Sequence, residues 1–431
     1  MRRIFYCDYG EDPARRIRIE SMLRHLKENG AEVCRTSRRP VVSVAQTLPL
    51  PWMLTQSPRK YNLSVNLTAY GESDPLLALC AAIYHYDHSG RSMRDCLNSM
   101  QSYRFYIEEE LAQFSPDLAI LWHQFNPYSY FVNDWCERHG VPVLYGEHGV
   151  LPGSWCFEFG GQMGESWISR DPAKFAALPV TRSDRERAEA YLAQAVHQRM
   201  NRKTDTISVT EAGLAQELRS DPRPKILYAG VNDYKTGLQP FSPERTGLHT
   251  GDFISSETGL NALLPLARRN GWQILFKPHP SIKHDSAGLA THSDYLKVID
   301  KRVDLVDLIG YSDVLATIVS QSAYMSLMHG TPTVLMGRLQ LSGSGLVHEA
   351  PYRGALENAL HTALAETAPD TRDAATSARR DGLIQHIARL LRYYVISAEY
   401  GKRGLFHYDL SDLANSLLHI GAINTDTPLN A

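Results

Sequence analysis

The chain has 431 residues, and its 45 Lys and Arg against 47 Asp and Glu give a formal net charge of −2. Apolar residues make up 43% of the sequence and charged residues 21%, which is typical of folded globular domains. The length predicts two or three domains, and the near-zero charge gives no reason to expect nucleic acid or an anionic membrane as a partner. No apolar run approaches the roughly 18 residues that cross a bilayer, so no transmembrane segment is predicted.

The targeting and cysteine patterns predict a cytoplasmic protein. The N-terminus begins like a signal peptide, but its apolar stretch ends at Asp8, short of the roughly 7–15 residues of an h-region. The six cysteines show no C-x-x-C spacing, and none follows Cys156. This pattern argues against a zinc ribbon and against a disulfide scaffold, and it fits reduced thiols in a core. The expected location is the cytoplasm, and the inner face of the inner membrane is one position open to such a protein.

The first half of the chain alternates strand-like and helix-like segments. In chain order the pattern predicts a strand at 4–9, a helix at 12–29, a strand at 118–122, a helix at 128–138, a strand at 141–145, a loop at 146–149 and a charged surface helix at 182–203. The apolar positions near helical spacing in the first helix are Ile17, Ile19, Met22, Leu23 and Leu26. Residues 37–75 hold several prolines and few periodic apolar positions, so they are interpreted as long loops or an insertion.

The pattern starts again after the Asp-Pro-Arg-Pro segment at 221–224. It predicts strands at 226–229, 273–276, 296–299, 314–319 and 333–336, alternating with helices at 260–270, 305–311 and 323–329. Such alternation indicates a parallel, doubly wound sheet. We therefore predict an α/β fold with two Rossmann-like domains, at 1–220 and 221–380, facing each other across a cleft. A last helix at 381–398 is expected to return to the first domain, and the segment 381–431 ends in a tail that resembles a linker.

A His-Pro segment follows directly on one of these strands. In Lys277-Pro278-His279-Pro280 the two prolines stiffen the turn and hold the imidazole and the ammonium at the carboxyl end of the strand. Ligands of such sheets bind at these strand ends, and the two groups could neutralise a phosphate leaving group without a metal. A rigid surface loop explains the same residues equally well.

A serine segment follows the strand predicted at 314–319. Ser320, Gln321 and Ser322 precede a helix, and free backbone N–H groups at a helix start, together with two hydroxyls, form an anion site. An ordinary serine N-cap is the simpler explanation of each serine alone. Because the two segments lie at neighbouring strand ends, phosphate binding is favoured, with no metal and no cofactor.

These segments resemble known motifs. "KPHP" and "SQSA…HG" resemble the histidine-proline and serine motifs of bacterial CMP-sugar glycosyltransferases, and two Rossmann-like domains without a G-x-G-x-x-G fingerprint fit the GT-B type. "YGEHGVLP" at 145–152 and "FEFGG" at 157–161, followed by Ser166, resemble the acidic-glycine loop of the bacterial retaining β-Kdo transferases of capsule and O-antigen synthesis. The resemblance is strongest to the module that terminates O-antigen chains, and it covers roughly residues 110–350.

The resemblance implies transfer of the sugar acid Kdo from CMP-β-Kdo to a hydroxyl of a lipopolysaccharide O-antigen or capsule glycan, with retention through a covalent carboxylate adduct. The implied partners are a nucleotide-sugar donor and a glycan acceptor, and further glycosyltransferase modules in a longer chain. Lys277, Ser320, Gln321 and Ser322 would bind the donor, and His279 would bind its leaving phosphate.

The family places its catalytic acid after the first strand of the second domain, which aligns with Asn232 in this sequence. Either the neighbouring Asp233 takes the role, or the chain carries an Asp→Asn substitution at position 232, which is the alternative we prefer. A simple Asn-Asp turn signal also explains the pair.

Acidic residues in the first domain are the remaining candidates. Glu158 stands among aromatic residues, where desolvation would raise the pKa of a carboxyl group towards that of a useful base, and it is assigned to the acceptor hydroxyl. It is otherwise a surface residue of an edge strand or turn. Glu147 and His148 either contact the donor or acceptor or shape the turn at Gly149. His123 and Asn126 follow the strand at 118–122 and are weaker candidates for an acceptor cleft.

Three other functions remain open. Another CMP-nonulosonate transferase, such as a sialyltransferase, would share the His-Pro and serine motifs. A nucleotide-sugar epimerase has two similar domains but needs no acceptor. A glycan-binding module would bind glycan without nucleotide.

Overall fold

The computed structural model describes residues 2–8, 12–37, 46–49, 74–201, 206–243, 249–282 and 294–419. Its contacts divide the chain into two compact units. The first unit comprises Met1–Gly149, Ser154–Gln162 and Tyr393–Ala431, and the second comprises Val150–Gly153 and Met163–Arg392. The predicted C-terminal linker and most of the predicted loop region 37–75 lie outside the described residues.

The described strands are β1 (Arg3–Asp8), β2 (Glu32–Ser37), β3 (Gln46–Pro49), β4 (Leu118–Trp122), β5 (Val143–His148), β6 (Ser154–Phe159), β7 (Lys225–Ala229), β8 (Gln273–Lys277), β9 (Leu296–Val298), β10 (Val314–Thr317), β11 (Thr333–Leu335), β12 (His348–Glu349) and β13 (Val395–Ser397). The α-helices are α1 (Pro13–Glu28), α2 (Pro75–Asp87), α3 (Met93–Phe114), α4 (Pro127–His139), α5 (Trp167–Arg170), α6 (Pro172–Ala177), α7 (Arg182–His197), α8 (Ala215–Ser220), α9 (Ser256–Asn270), α10 (Leu305–Ile309), α11 (Ser322–Met328), α12 (Arg353–Ala365), α13 (Pro369–Tyr393) and α14 (Leu410–His419).

The first unit is built on a seven-stranded sheet in the order β13-β6-β5-β4-β1-β2-β3. The strands from β1 to β5 pair in parallel, whereas β6 pairs antiparallel with both β5 and β13. The sheet carries an apolar cluster on each face, one against α2, α3 and α4 and the other against α1 and α14. The sheet of this unit is therefore mixed rather than wholly parallel.

The second unit is built on a six-stranded, wholly parallel sheet in the order β12-β11-β10-β7-β8-β9. The strands β7, β8 and β9 follow one another from the centre of the sheet to one edge. The chain then crosses back, and β10 pairs on the other side of β7. The fold is thus α/β with one Rossmann-like sheet in each unit, as predicted. All six cysteines are buried thiols of the first unit, and no described helix is long and apolar enough to cross a membrane.

Local sequence explains where α1 begins and which face of it is buried. The Asp12 side chain accepts a hydrogen bond from the backbone N–H of Arg15 at 2.7 Å, and Pro13 occupies the first turn. Four of the five predicted apolar positions are fully buried, namely Ile19, Met22, Leu23 and Leu26. The fifth, Ile17, is 66% exposed. At about 100° per residue it lies on the face opposite Ile19 and Met22.

Three predicted boundaries differ from the structure. The predicted loop at 146–149 is largely strand, because β5 continues through His148 by pairing with β6. The helix predicted to come last, α13, ends at Tyr393 and is followed by β13 and α14. The predicted domain boundary at residue 220 falls inside the second unit, where Ile207 bridges to Val303 and the Arg199 guanidinium lies 3.1 Å from Asp307.

Candidate active site

The strand order of the second sheet predicts where a ligand would bind. The chain order reverses between β7 and β10, and ligands of open α/β sheets bind where the order reverses, outside the carboxyl ends of the strands. Asn232 lies three residues after β7, and Ser320 lies three residues after β10. His279 follows β8, which is the other neighbour of β7.

Asn232 is 2% exposed and is held at both ends of its amide. Its Oδ1 atom accepts a hydrogen bond from the backbone N–H of Lys235 at 3.1 Å, and its Nδ2 atom donates to Oγ of Ser281 at 3.0 Å. The backbone carbonyl of Asn232 accepts from the backbone N–H and the hydroxyl of Thr236. The side chain therefore has one fixed orientation at the end of β7.

Asp233 is turned towards a helix start instead. Its Oδ1 atom accepts hydrogen bonds from the backbone N–H of Ser256 at 2.9 Å and from its hydroxyl at 2.8 Å, in the first turn of α9. Burial raises the pKa of Asp233, although the two bonds from Ser256 act in the opposite direction. The neighbouring side chains at 232 and 233 thus have different partners, and Asp233 accepts from the first turn of α9, whose N-cap residue is Ser255.

His279 is joined to Asn232 through Ser281. The Nδ1 atom of His279 accepts from the backbone N–H of Ser281 at 3.2 Å and lies 2.8 Å from its Oγ atom. Because a backbone N–H only donates, Nδ1 is unprotonated and the neutral ring carries its proton on Nε2. Ser281 Oγ accepts from Asn232 and donates to His279, so one hydrogen-bond chain connects the His-Pro loop with the end of β7.

Lys277 does not share this chain of contacts. The side chain is 6% exposed, and its Nζ atom donates to the backbone carbonyl of Lys301 at 2.9 Å. Burial lowers the pKa of Lys277 to about 8, while the carboxylates of Asp304 and Asp300 favour its charged form. Its observed partner is a structural one, and a charge contact with a phosphate stays a prediction.

The serine segment differs from the predicted anion site. The backbone N–H of Ser322 donates to Oγ of Ser320, that of Ala323 to the carbonyl of Ser320, and that of Tyr324 to the carbonyl of Gln321. The prediction of free N–H groups at this helix start is therefore wrong, because a tight turn already uses the first three. Ser322 is 4% exposed, and its hydroxyl has no hydrogen-bond partner among the described residues. A buried hydroxyl of this kind is a candidate ligand group.

In the first unit, Glu147 and His148 end β5. Nδ1 of His123 lies 2.9 Å from Oε2 of Glu147, and the His123 backbone has a φ of +71°, which is rare for a residue other than glycine. The His148 ring packs edge-on against Trp122, with 5.5 Å between ring centroids. His123 and Glu147 thus form a partly buried polar pair at the ends of β4 and β5. Asn126 is structural, since its Oδ1 atom caps the first turn of α4.

Glu158 is the fifth of the six residues of β6 and is 3% exposed. The aromatic neighbours predicted for it, Trp155, Phe157 and Phe159, do not surround it, because side chains alternate along a strand. Trp155, Phe157 and Phe159 pack on one face of the sheet, whereas Glu158 stands opposite Tyr145 on the other. Its partner there is Tyr394, whose hydroxyl donates to Oε1 at 2.6 Å.

Sequence reasoning missed four residues of these clusters. Ser281 was signalled only by its place two residues after His279, and Tyr394 is 236 residues from Glu158 with no local signal. The Arg15 guanidinium forms a buried two-bond pair with Asp8 at the end of β1, at 2.9 and 3.1 Å. An Asp ending a strand and an Arg in the following helix were the available signals. The described residues contain no cluster of His, Cys, Asp and Glu that could hold a metal ion.

No protein-family model and no curated protein sequence matches the chain. Among solved structures it is similar to the Thermosulfurimonas dismutans KpsC β-Kdo 2,4 transferase, with 18% identity, 70% of this chain and 86% of that chain covered, and a TM-score of 0.45. The KpsC β-Kdo 2,7 transferase from the same organism gives 16% identity, 72% and 88% coverage, and a TM-score of 0.41. The UDP-GlcNAc 2-epimerase of Methanocaldococcus jannaschii gives 10% identity, 84% and 93% coverage, and a TM-score of 0.34. These similar structures include both transferases and an epimerase.

Proposed function

We propose that the chain is a GT-B glycosyltransferase that moves Kdo from CMP-β-Kdo to a hydroxyl of a bacterial surface glycan with retention. The observation that carries the proposal is the hydrogen-bond chain Asn232–Ser281–His279. It joins the position that the sequence resemblance assigns to the nucleophile with the histidine that it assigns to the leaving phosphate. In a double displacement these two groups must act on the two sides of one breaking bond.

The proposed first step needs a carboxylate at position 232, which the substitution Asn232→Asp supplies. The anomeric carbon of Kdo is fully substituted, so its transition state resembles an oxocarbenium ion. An oxygen of this carboxylate would form a bond to the carbon while the bond to the CMP phosphate breaks and the electron pair leaves with the phosphate. His279 would donate from Nε2 to a phosphate oxygen, because Nδ1 already accepts from Ser281. The Ser322 hydroxyl is the second proposed hydrogen-bond donor to the phosphate.

The proposed second step uses the acceptor. Its hydroxyl oxygen would bond to the anomeric carbon as the bond between that carbon and the carboxylate at position 232 breaks, and Glu158 would take the hydroxyl proton. Two inversions at one carbon give net retention. Neither step requires a metal, since the leaving group is already stable as a phosphate monoester.

The test is donor turnover. The unchanged chain and an Asn232→Asp variant are incubated with CMP-Kdo or CMP-sialic acid, with and without a glycan acceptor, and CMP release and product mass are measured. We expect acceptor-dependent Kdo transfer by the Asn232→Asp variant. Turnover of CMP-sialic acid but not of CMP-Kdo would overturn the choice of donor. Loss of nucleotide-sugar without acceptor and without glycoside formation would favour an epimerase, and absence of CMP binding in calorimetry would favour a glycan-binding module.

A further inference from the structure

The Glu158 carboxylate is held by a residue from the far end of the chain. The hydroxyl of Tyr394 donates to Oε1 of Glu158 at 2.6 Å, and both residues are 3% exposed. The contact is a short O–H···O hydrogen bond between two buried side chains. The contact lies wholly within the first unit.

The position of Tyr394 follows from the return of the chain. Tyr394 comes directly after α13, and the strand β13 that follows pairs with β6 in the register Val395 opposite Cys156. The pairing brings Tyr394 to the strand that carries Glu158. Tyr394 itself precedes the paired residues, in the turn between α13 and β13, and from there its hydroxyl reaches Glu158.

The hydroxyl of Tyr394 lies beside a cluster of ionisable side chains. Glu147 stands opposite Cys156 on β5, and Glu158 lies two residues further along β6 on the same face. Burial raises the pKa of the Cys156 thiol, the carboxylates of Glu158 and Glu147 raise it further, and a hydrogen bond with Tyr394 acts in the opposite direction. The buried Glu158 and the partly buried Glu147 therefore flank one buried thiol. Each has a polar partner, namely His123 for Glu147 and Tyr394 for Glu158.

We propose that Tyr394 is a positioning residue for Glu158. Its hydrogen bond holds the side chain of Glu158 in one rotamer, so that Glu158 can take the proton of the acceptor hydroxyl. A buried carboxylate without this donor would lose a bond worth more than an ordinary neutral one. The inference rests on the proposed function. It assigns Tyr394 a role in the second step and none in the first.

The test separates the two steps in the Asn232→Asp background. Tyr394→Phe keeps the ring and removes only the hydroxyl, and Tyr393→Phe is the matched control at the adjacent buried tyrosine. We expect Tyr394→Phe to lower kcat for transfer about tenfold with kcat/KM for CMP-Kdo unchanged, while the Kdo adduct seen by intact-mass spectrometry accumulates. Tyr393→Phe should leave kcat and adduct level within about twofold of the parent.

A double-mutant comparison completes the test. If Tyr394 acts through Glu158, Tyr394→Phe should cost little more once Glu158→Gln is present. A fall in adduct formation equal to the fall in transfer would indicate general structural damage and overturn the inference, as would losses that multiply in the double variant. Absence of Kdo transfer in the Asn232→Asp parent would overturn the proposed function, and the inference with it.

Discussion

Asn232→Asp is the substitution that tests the proposed nucleophile most directly. The two side chains have nearly the same shape, so the bond from the Lys235 backbone N–H to Oδ1 can be kept. The second bond must reverse, because a carboxylate cannot donate to Ser281 as the amide does. Ser281 would then donate its hydroxyl proton to the new carboxylate and withdraw it from His279, whose Nδ1 keeps the Ser281 backbone N–H.

The substitution should change both the turnover of CMP-Kdo and the stability of the fold. An amide is a poor nucleophile, and its replacement by a carboxylate in the same place should raise turnover of CMP-Kdo by about 10³-fold or more, which corresponds to about 4 kcal/mol of barrier. The new charge is buried, and one hydroxyl bond is lost from His279. We therefore expect the free energy of unfolding to fall by about 1–3 kcal/mol while activity rises.

The assay combines CMP release, urea unfolding and peptide mass spectrometry after incubation with CMP-Kdo. A Kdo-sized adduct is expected on the peptide that contains residue 232. The matched control is Asp233→Asn in the Asn232→Asp background, which keeps an oxygen to accept the two bonds from Ser256 and should cost much less activity. If Asn232→Asp changes nothing and Asp233→Asn abolishes turnover, the nucleophile is Asp233. If neither matters and no adduct forms, the double displacement itself is refuted.

The other predictions concern the second unit. His279→Ala should lower turnover at least tenfold in the Asn232→Asp background, through loss of about 1.4 kcal/mol or more of stabilisation of the leaving phosphate, and unchanged kinetics would make the His-Pro loop purely structural. Activity should survive EDTA, and abolition by the chelator with rescue by magnesium would contradict a metal-free site. The pKa of Lys277 is lowered to about 8 from an ordinary 10.5, so the folded protein loses its proton first and stability contributed by this site should rise between about pH 8 and 10.5. Urea unfolding at about pH 8 and about pH 10 should show this rise, about 3 kcal/mol at most, in the parent and not in Lys277→Met.

Apolar runs predicted the buried parallel strands well, because such strands are covered on both faces. The strand at Leu118–Trp122 has five buried residues and matches its predicted range, and the predicted strands of the second sheet match within two residues at each end. The end of β5 was missed because Gly146, Glu147 and His148 look like a turn, and only pairing with β6 makes them strand. Pairing between segments is a tertiary property that local sequence does not carry.

The candidate site divides in the same way. Residues at strand ends, such as Asn232 and His279, could be proposed from sequence because the ends of parallel strands share one edge of the sheet. The hydrogen bonds at these strand ends could not be predicted from sequence, and they decide which groups are left to bind a ligand. Asp233 turned out to accept from Ser256 in the first turn of α9. The N–H groups at the start of α11 turned out to be used by the Ser320 hydroxyl and by the backbone carbonyls of Ser320 and Gln321.

Glu158 shows why the last part of the site needed the structure. It lies on β6, away from the point where strand order reverses in the first sheet, so strand-end reasoning alone would not select it. A carboxylate that is 3% exposed is tolerated only with a hydrogen-bond donor. This donor, Tyr394, lies in a segment that follows the second unit in the sequence and returns to the first sheet. The same β13 pairing that closes the edge of the first sheet therefore also supplies the hydroxyl for Glu158. Sequence resemblance over residues 110–350 does not extend to Tyr394, so the residue that orients the proposed base was beyond its reach.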